Sequence, residues 1–384
     1  MKYRCAAGGA LRFSEIGLGT YALAGVYGAK DPAEFKRVVA RALDLGVTFF
    51  DSAPVYGDSE ALLGEVLAGV RRDVVISTKV AAGMEQGFSC SYDVVVASCE
   101  ASLGRLRTDC IDLYQIHFDD GKTPTEEVVR AMEHLKVSGK IRHYGIGHVS
   151  YERAAEYLEV GNVTTVMGEL SAVSRKYYAR MAPLVLKHGA GYLGFSLTGR
   201  GVLSGVVRGR EGLEEGDIRN MDALFAGAKL ASAVRVAERF AQAGRALGAT
   251  PAQVAIGWAL AQDGVVTGLV GPSTTAHLEE DVRASDLELP AALVGELDAF
   301  LASDEARLRG ELREEIAAIL GRKMEDASQA PRLVYVLEAL SELELAPEED
   351  LVACFKQLLT VMHGGGSQAE LESLRARLAR YVER

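Results

Sequence analysis

Asp51, Tyr56, Lys79 and His117 are four side chains that together can run one proton-transfer step, and each falls at or just past the end of an apolar, strand-like run. A tyrosine hydroxyl has an ordinary pKa of about 10, too high for easy proton donation at neutral pH unless its anion is stabilised. A neighbouring ammonium supplies that stabilisation: Lys79 favours tyrosinate at Tyr56, and Asp51 can hold Lys79 charged and oriented. His117 can then hydrogen-bond a substrate oxygen in the same pocket. Such a set suits protonation of a carbonyl oxygen as hydride arrives at carbon, or the reverse. Side chains cannot supply hydride, so a nicotinamide or flavin has to be bound. Taken singly, a loop tyrosine is usually packed, a lysine at a strand end solvated, and a lone Asp or His a cap. Their joint occurrence at three consecutive strand ends is what argues for a site.

The runs are VTFF before Asp51, VVIST before Lys79 and IDLYQI before His117, with helix-like segments between them. Strand, helix, strand is the pattern of parallel βαβ units, whose buried strands read as continuous apolar stretches. In a closed barrel of such units the reactive groups collect at the C-terminal rim of the strands. MKYRCAAGGALRFSE predicts a short hairpin around Gly8-Gly9, and IGLGT the first barrel strand. The alternation then predicts helices at 32–45, 59–68, 91–106, 124–137, 150–158, 177–187, 229–247 and 251–262. It predicts strands at 47–50, 73–78, 111–116, 141–146, 163–167, 191–195 and 265–270. The fold class is therefore α/β, a (β/α)8 TIM barrel with an N-terminal β-hairpin, spanning residues 1–302. The stretch 205–228 lacks periodicity and reads as a lid or a disordered loop. From 303 to 384 strands vanish and an appended all-helical segment is predicted, with helices near 304–320, 331–344, 348–362 and 367–383. Leu333, Val336, Leu337 and Leu340 share one face of the second of these.

The hydrophobic and charged fractions, 48% and 25%, are those of an ordinary globular protein. A net charge of −11 without a basic block argues against nucleic acid or an anionic membrane as partner. The five cysteines have no CxxC pair and no nearby His cluster, against a structural zinc or iron–sulfur site. His134, His143, His188 and His363 lack a second ligand at metal spacing, and no metal is expected. The N-terminus lacks a signal-peptide core and no window reaches a membrane span, so a cytoplasmic setting is expected.

The stretch GVTFFDSAPVYGDSEALLGEVL resembles the signature of the aldo-keto reductase superfamily. IGLGT, STKV, SLGRLRTDCIDLYQIH, TPTEEVVRAMEHLKVSGKIRHYGIG and FSLTGRGVLSG agree with it in order, over roughly residues 1–300. The resemblance implies a barrel that binds an extended nicotinamide dinucleotide without a Rossmann domain and reduces carbonyls to alcohols. It implies Tyr56 as general acid–base, with Asp51, Lys79 and His117 completing the tetrad. It places Gly19, Thr20, Tyr21 and Asp51 beside the cofactor, with Phe195 stacked on the nicotinamide. Ser196, Leu197, Gly199 and Leu203 match the loop around the pyrophosphate. Gly271, Ser273, Thr274 and His277 match the segment that clamps the adenosine 2′-phosphate, and Glu280 and Asp281 the adenine-facing pair.

The chain departs from the family pattern where the carboxamide of the nicotinamide is held. Ser-Asn after the fifth barrel strand and Gln on the sixth are replaced by Gly147, His148 and Met167. At the 2′-phosphate segment Lys or Arg is missing, which weakens NADP(H) preference and leaves NAD(H) open, with Arg200 or Arg283 as possible substitutes. The expected activity is interconversion of a small carbonyl compound or sugar with its alcohol. Two alternatives stand beside it: a cofactor-binding regulatory or scaffold protein acting through 303–384, and a same-fold enzyme with non-redox net chemistry such as epimerisation. The helical segment is expected to serve as a cover over the rim or as a surface for a homo-oligomer or protein partner.

Overall fold

The computed structural model describes residues 1–6, 9, 11–28, 31–80, 89–321, 337, 353, 354, 357 and 368–382. Two antiparallel strands, β1 (Tyr3–Ala6) and β2 (Leu11–Ser14), form the N-terminal hairpin. The barrel strands follow as β3 (Ile16–Gly19), β4 (Phe49–Asp51), β5 (Val75–Val80), β6 (Ile111–Ile116), β7 (Ile141–Gly147), β8 (Thr165–Glu169), β9 (Gly191–Phe195) and β10 (Val265–Val270). They close in chain order, with β10 pairing β3 in parallel. β6 and β10 are buried along their whole length, as continuous apolar runs require when both faces are covered.

The helices of the barrel are α1 (Pro32–Asp44), α2 (Ser59–Leu67), α3 (Tyr92–Leu106), α4 (Thr125–Val137), α5 (Tyr151–Val160), α6 (Lys176–His188), α8 (Pro251–Leu260) and α9 (Thr275–Val282). Their starts obey local chemistry. Asp31 accepts from the Ala33 amide ahead of Pro32, and Thr250 with Gln253 forms a capping box ahead of α8. Barrel closure is tied down from below: Arg4 of the hairpin donates to the Leu260 and Val265 carbonyls at 2.6 and 2.8 Å and pairs with Glu15. Thr267 donates to the Ser14 carbonyl at 2.9 Å.

Contacts divide the chain into two compact units, residues 1–199 with 248–290, and 200–247 with 291–384. In the second unit α7 (Gly227–Leu247) is joined by α10 (Ala291–Gly321) through Arg235, which pairs with Asp304 at 2.5 Å and Glu311 at 3.0 Å. Glu315 accepts from the Ala228 amide at 3.1 Å, capping the start of α7. A further helix, α11 (Gln368–Val382), buries Leu374 and Leu378. α10 begins directly after Pro290 and runs unbroken through residue 302. The predicted helices at 331–344 and 348–362 lie almost wholly outside the described residues, although Leu337 is helical and buried.

Loop 205–228, read from sequence as lid or disorder, contains two 3-10 turns, Ile218–Met221 and Ala223–Phe225. Asp217 and Asp222 cap them, and Arg200 pairs with Asp222 at 2.8 Å. Among the described residues no helix is long and apolar enough to cross a membrane.

Candidate active site

The parallel register explains how three separate strands deliver one cluster. Asp51 lies opposite Gly19 on β3 and Ser77 on β5, while Lys79, two residues further, lies opposite Gln115 on β6. A spacing of two returns a strand side chain to the same face, so Ser77 and Lys79 both face the interior beside Asp51. Lys79 Nζ donates to Asp51 Oδ2 at 2.6 Å and to the Ser52 carbonyl at 2.7 Å. Both side chains are buried, Lys79 with 2% of its surface exposed. Burial pushes the Asp51 carboxyl above its ordinary range against the pull of Lys79.

Ser52, whose carbonyl receives Lys79, is itself held by hydroxyl contacts to Thr20 at 3.1 Å and Ser59 at 2.6 Å. Thr20 is fully buried and its hydroxyl also reaches the Asp51 carbonyl. Its side chain therefore serves the tetrad's backbone.

Tyr56 stands in the loop after β4, half-buried, with its ring 4.9 Å from Tyr21 and the Lys79 ammonium 5.2 Å from its centroid. Its hydroxyl is 3.4 Å from His117 Nε2. Lys79 was expected to lower the Tyr56 pKa; here burial, then the charge of Asp51, push it well above the ordinary tyrosine value. The ground state of Tyr56 is thus the neutral acid, held ready to donate.

Burial, then Lys79 and His148, lower His117 to about 2, so its imidazole is neutral and offers a hydrogen bond without a charge. This has a measurable consequence for stability. Unfolded histidine titrates near 6.5. Between these two values the unfolded chain binds the extra proton, so stability falls as the pH drops below about 6.5 and is about 3 kcal/mol lower by about pH 4. Urea unfolding of the native protein and of His117→Gln at neutral and acid pH should show the smaller slope in the variant; parallel slopes would contradict the buried neutral imidazole.

A ladder of rings carries the site around the rim. His117 stacks on Phe118 at 4.3 Å, Phe118 on His148 at 4.8 Å, and His148 lies 5.4 Å from Phe195. Phe118 was not singled out in the sequence, although it follows His117 at a strand exit. Its loop is fastened by Arg153, which grips Asp119 through two nitrogens at 2.7 and 2.9 Å. His148 and Ser196 have φ of 45° and 57°, a left-handed backbone rare for residues with a side chain. Such strain collects at functional rims.

The other residues expected beside a cofactor divide. Met167 is buried against Leu193 and Phe195 and offers no polar atom, and Gly147 offers none beyond its backbone. His148, exposed at the rim, is left as the side chain at that end able to hydrogen-bond an amide. Leu197 is buried against Gly194 and Gly268, where added Cβ atoms would meet it at 3.3 and 2.5 Å, so only its backbone faces the loop. Gly199 is buried in a left-handed turn, and Leu203 is buried in the second unit.

After β10, Gly271 lies where a Cβ would stand 3.3 Å from Ala22. Thr274 caps α9 by accepting from His277 N at 3.2 Å, and Ser273 Oγ lies 3.3 Å from His277 Nδ1. The positive end of a helix, with a hydroxyl and an imidazole beside it, fits a phosphate. The Glu280 carbonyl accepts from Gln253 at 3.0 Å. Burial, then Glu280, raise Asp281 to about 7. The residues present therefore fit the phosphate end of a dinucleotide and offer one side chain to its amide end.

Comparison with known proteins gives the cluster its context. The model of the "Aldo/keto reductase family" matches residues 15–302. Aldo-keto reductase str7 of Strobilurus tenacellus is 31% identical over 319 residues, covering 80% of this chain and 94% of that protein. Aldo-keto reductase YhdN of Bacillus subtilis (strain 168) is 30% identical over 290 residues, covering 73% and 87%. Among solved structures, the holo form of aldo-keto reductase AKR11C1 from Bacillus halodurans superposes with a TM-score of 0.65 at 28% identity, covering 78% of this chain and 96% of that one. The glycerol dehydrogenase AKR11B4 from Gluconobacter oxydans does so with a TM-score of 0.71 at 27% identity, covering 79% and 95%. Barrel, sequence match and solved relatives agree that this chain belongs to the aldo/keto reductase family of oxidoreductases.

Proposed function

We propose that the protein interconverts a small carbonyl compound or sugar and its alcohol using a nicotinamide dinucleotide, with Tyr56 as general acid–base. The observation that carries this reading is the buried Lys79–Asp51 ion pair beside Tyr56, whose hydroxyl lies 3.4 Å from neutral His117. A nicotinamide dinucleotide, when bound, would supply or accept the hydride. In reduction the Tyr56 hydroxyl donates its proton to the carbonyl oxygen. Lys79 stabilises the tyrosinate that forms, and Asp51 keeps Lys79 in place. His117 hydrogen-bonds the same oxygen and orients it. Phe195 and His148 border the mouth, and the start of α9 with Ser273, Thr274 and His277 would hold a cofactor phosphate.

The small polyol in the name of the Gluconobacter relative supports including polyols and sugars among the substrates. No fixed cation stands at Gly271, Thr274 or His277, so discrimination between NADPH and NADH is expected to be weak. Titration with NADPH and NADH in parallel, followed by a panel of aldehydes, ketones, aldoses and polyols monitored by nicotinamide absorbance, tests the proposal. Steady turnover is the expected result. Stoichiometric cofactor binding with no net redox change across the panel would overturn it in favour of non-redox chemistry such as epimerisation.

A further inference from the structure

Directly beneath the tetrad lies a polar residue inside a strand that otherwise reads as apolar. Gln115 is the next-to-last residue of β6, fully buried, and sits opposite Lys79 on one side and Gly145 on the other. Its amide nitrogen donates to Ser77 Oγ at 2.8 Å and approaches Asp51 Oδ1 at 3.4 Å. Ser77 in turn hydrogen-bonds the Asp51 carboxylate. A carboxylate offers no proton, so the amide must turn its N–H toward Asp51, and the serine must accept from Gln115 while donating onward. The result is a directional chain, Gln115 to Ser77 to Asp51, meeting Lys79 on the opposite carboxylate oxygen.

Room for this side chain comes from Gly145. A Cβ there would stand 2.3 Å from Thr165 Oγ1 and 3.2 Å from Gln115 Oε1. A side chain at 145 would therefore crowd the amide that Gly145 leaves room for. Burying a primary amide without function is costly relative to an apolar residue of the same shape. An isosteric methionine would pack the same space.

We propose that Gln115 is a positioning residue of the proton-transfer site: with Ser77 it stabilises the ionised carboxylate of Asp51 and fixes it against Lys79. The inference rests on the proton-transfer reading of Asp51 and Lys79. Hydrogen bonds donated to a carboxylate favour its charged form, and those in a chain reinforce one another. Loss of either donor therefore raises the proton affinity of Asp51. Among the described residues, the titratable side chains facing this carboxylate are Lys79 from β5 and Tyr56 from its own exit loop. His117 stands at the end of β6, and β3 contributes the Thr20 amide only to the Asp51 backbone.

The test needs no substrate and so separates this inference from the assignment of the reaction. The full-length protein, without added cofactor, is labelled at its aspartate carboxyl carbons and titrated by NMR, the Asp51 signal being identified by its loss in Asp51→Asn. In Gln115→Met the Asp51 midpoint is expected to rise by about one unit. Ser77→Ala should give a similar rise, since it removes the other donor. Where turnover is measurable, kcat should fall about tenfold with KM little moved. A Gln115→Met protein with native melting temperature and an unmoved Asp51 midpoint would overturn the proposal. If Gln115→Met fails to fold, Ser77→Ala, which removes a single hydroxyl, carries the same test and the same overturning result.

Discussion

Replacing Lys79 by methionine is expected to damage both stability and turnover. Lys79 is almost fully enclosed, and its ammonium is the partner of a carboxylate at 2.6 Å with little of its own surface exposed. Removing one member of a buried pair leaves the other as an uncompensated charge, at a cost of about 3 to 5 kcal/mol. Asp51 would respond by binding a proton, which softens the loss without restoring the site. Turnover should fall about a thousandfold, because no cation remains to stabilise the tyrosinate formed at Tyr56. Calorimetry and single-turnover kinetics on the same preparation would read both effects. The Asp51→Asn/Lys79→Met double variant should recover much of the stability and none of the activity. A single variant that melts and turns over like the native protein would contradict the role given to the pair.

Tyr56→Phe separates the same two effects. The substitution keeps the ring, with its 4.9 Å packing on Tyr21, and removes a hydroxyl that meets His117 at a long 3.4 Å. Stability should change by about 1 kcal/mol or less. The acid–base group itself is gone, so kcat is expected to drop by about three to four orders of magnitude. Cofactor affinity, followed by quenching of the fluorescence of Trp258, the one tryptophan, should stay near native. If kcat survived, proton transfer would have to run through another group, and neutral His117 would be the first to examine.

The barrel was legible because its strands are long apolar runs and its helices announce their starts. Asp31-Pro32 before α1 and Thr250-Pro251 before α8 are local signals that the structure uses as read. The four acid–base residues were legible because residue type and strand-end position coincided. Gln115 was not: it is one polar letter in IDLYQI, and its meaning depends on Gly145 lacking a Cβ on the neighbouring strand. The left-handed backbone of His148 and Ser196 carries no sequence signal either, since neither is Gly or Asn. α9 went unassigned although Thr274 stands three residues before His277 as an N-cap. The start of α10 was placed near 304, whereas the helix begins at Ala291 and Asp304 pairs with Arg235 in its continuous middle.

The seam between β3 and β10 has a bearing on how the molecule is made. Thr267 donates to Ser14 across 253 residues of chain, and the strands on either side of that seam are the first and last of the barrel. During synthesis Asp51, Tyr56, Lys79 and His117 all leave the ribosome long before the strand that closes the cylinder. Until it arrives, the early strands present unpaired edges and an apolar face that must be kept from other chains. Closure over so long a loop is slow relative to local helix formation. A chain interrupted before residue 265 would carry every acid–base residue and still be an open sheet prone to aggregation, so translation of the final strand, rather than of the reactive residues, sets when activity can first appear.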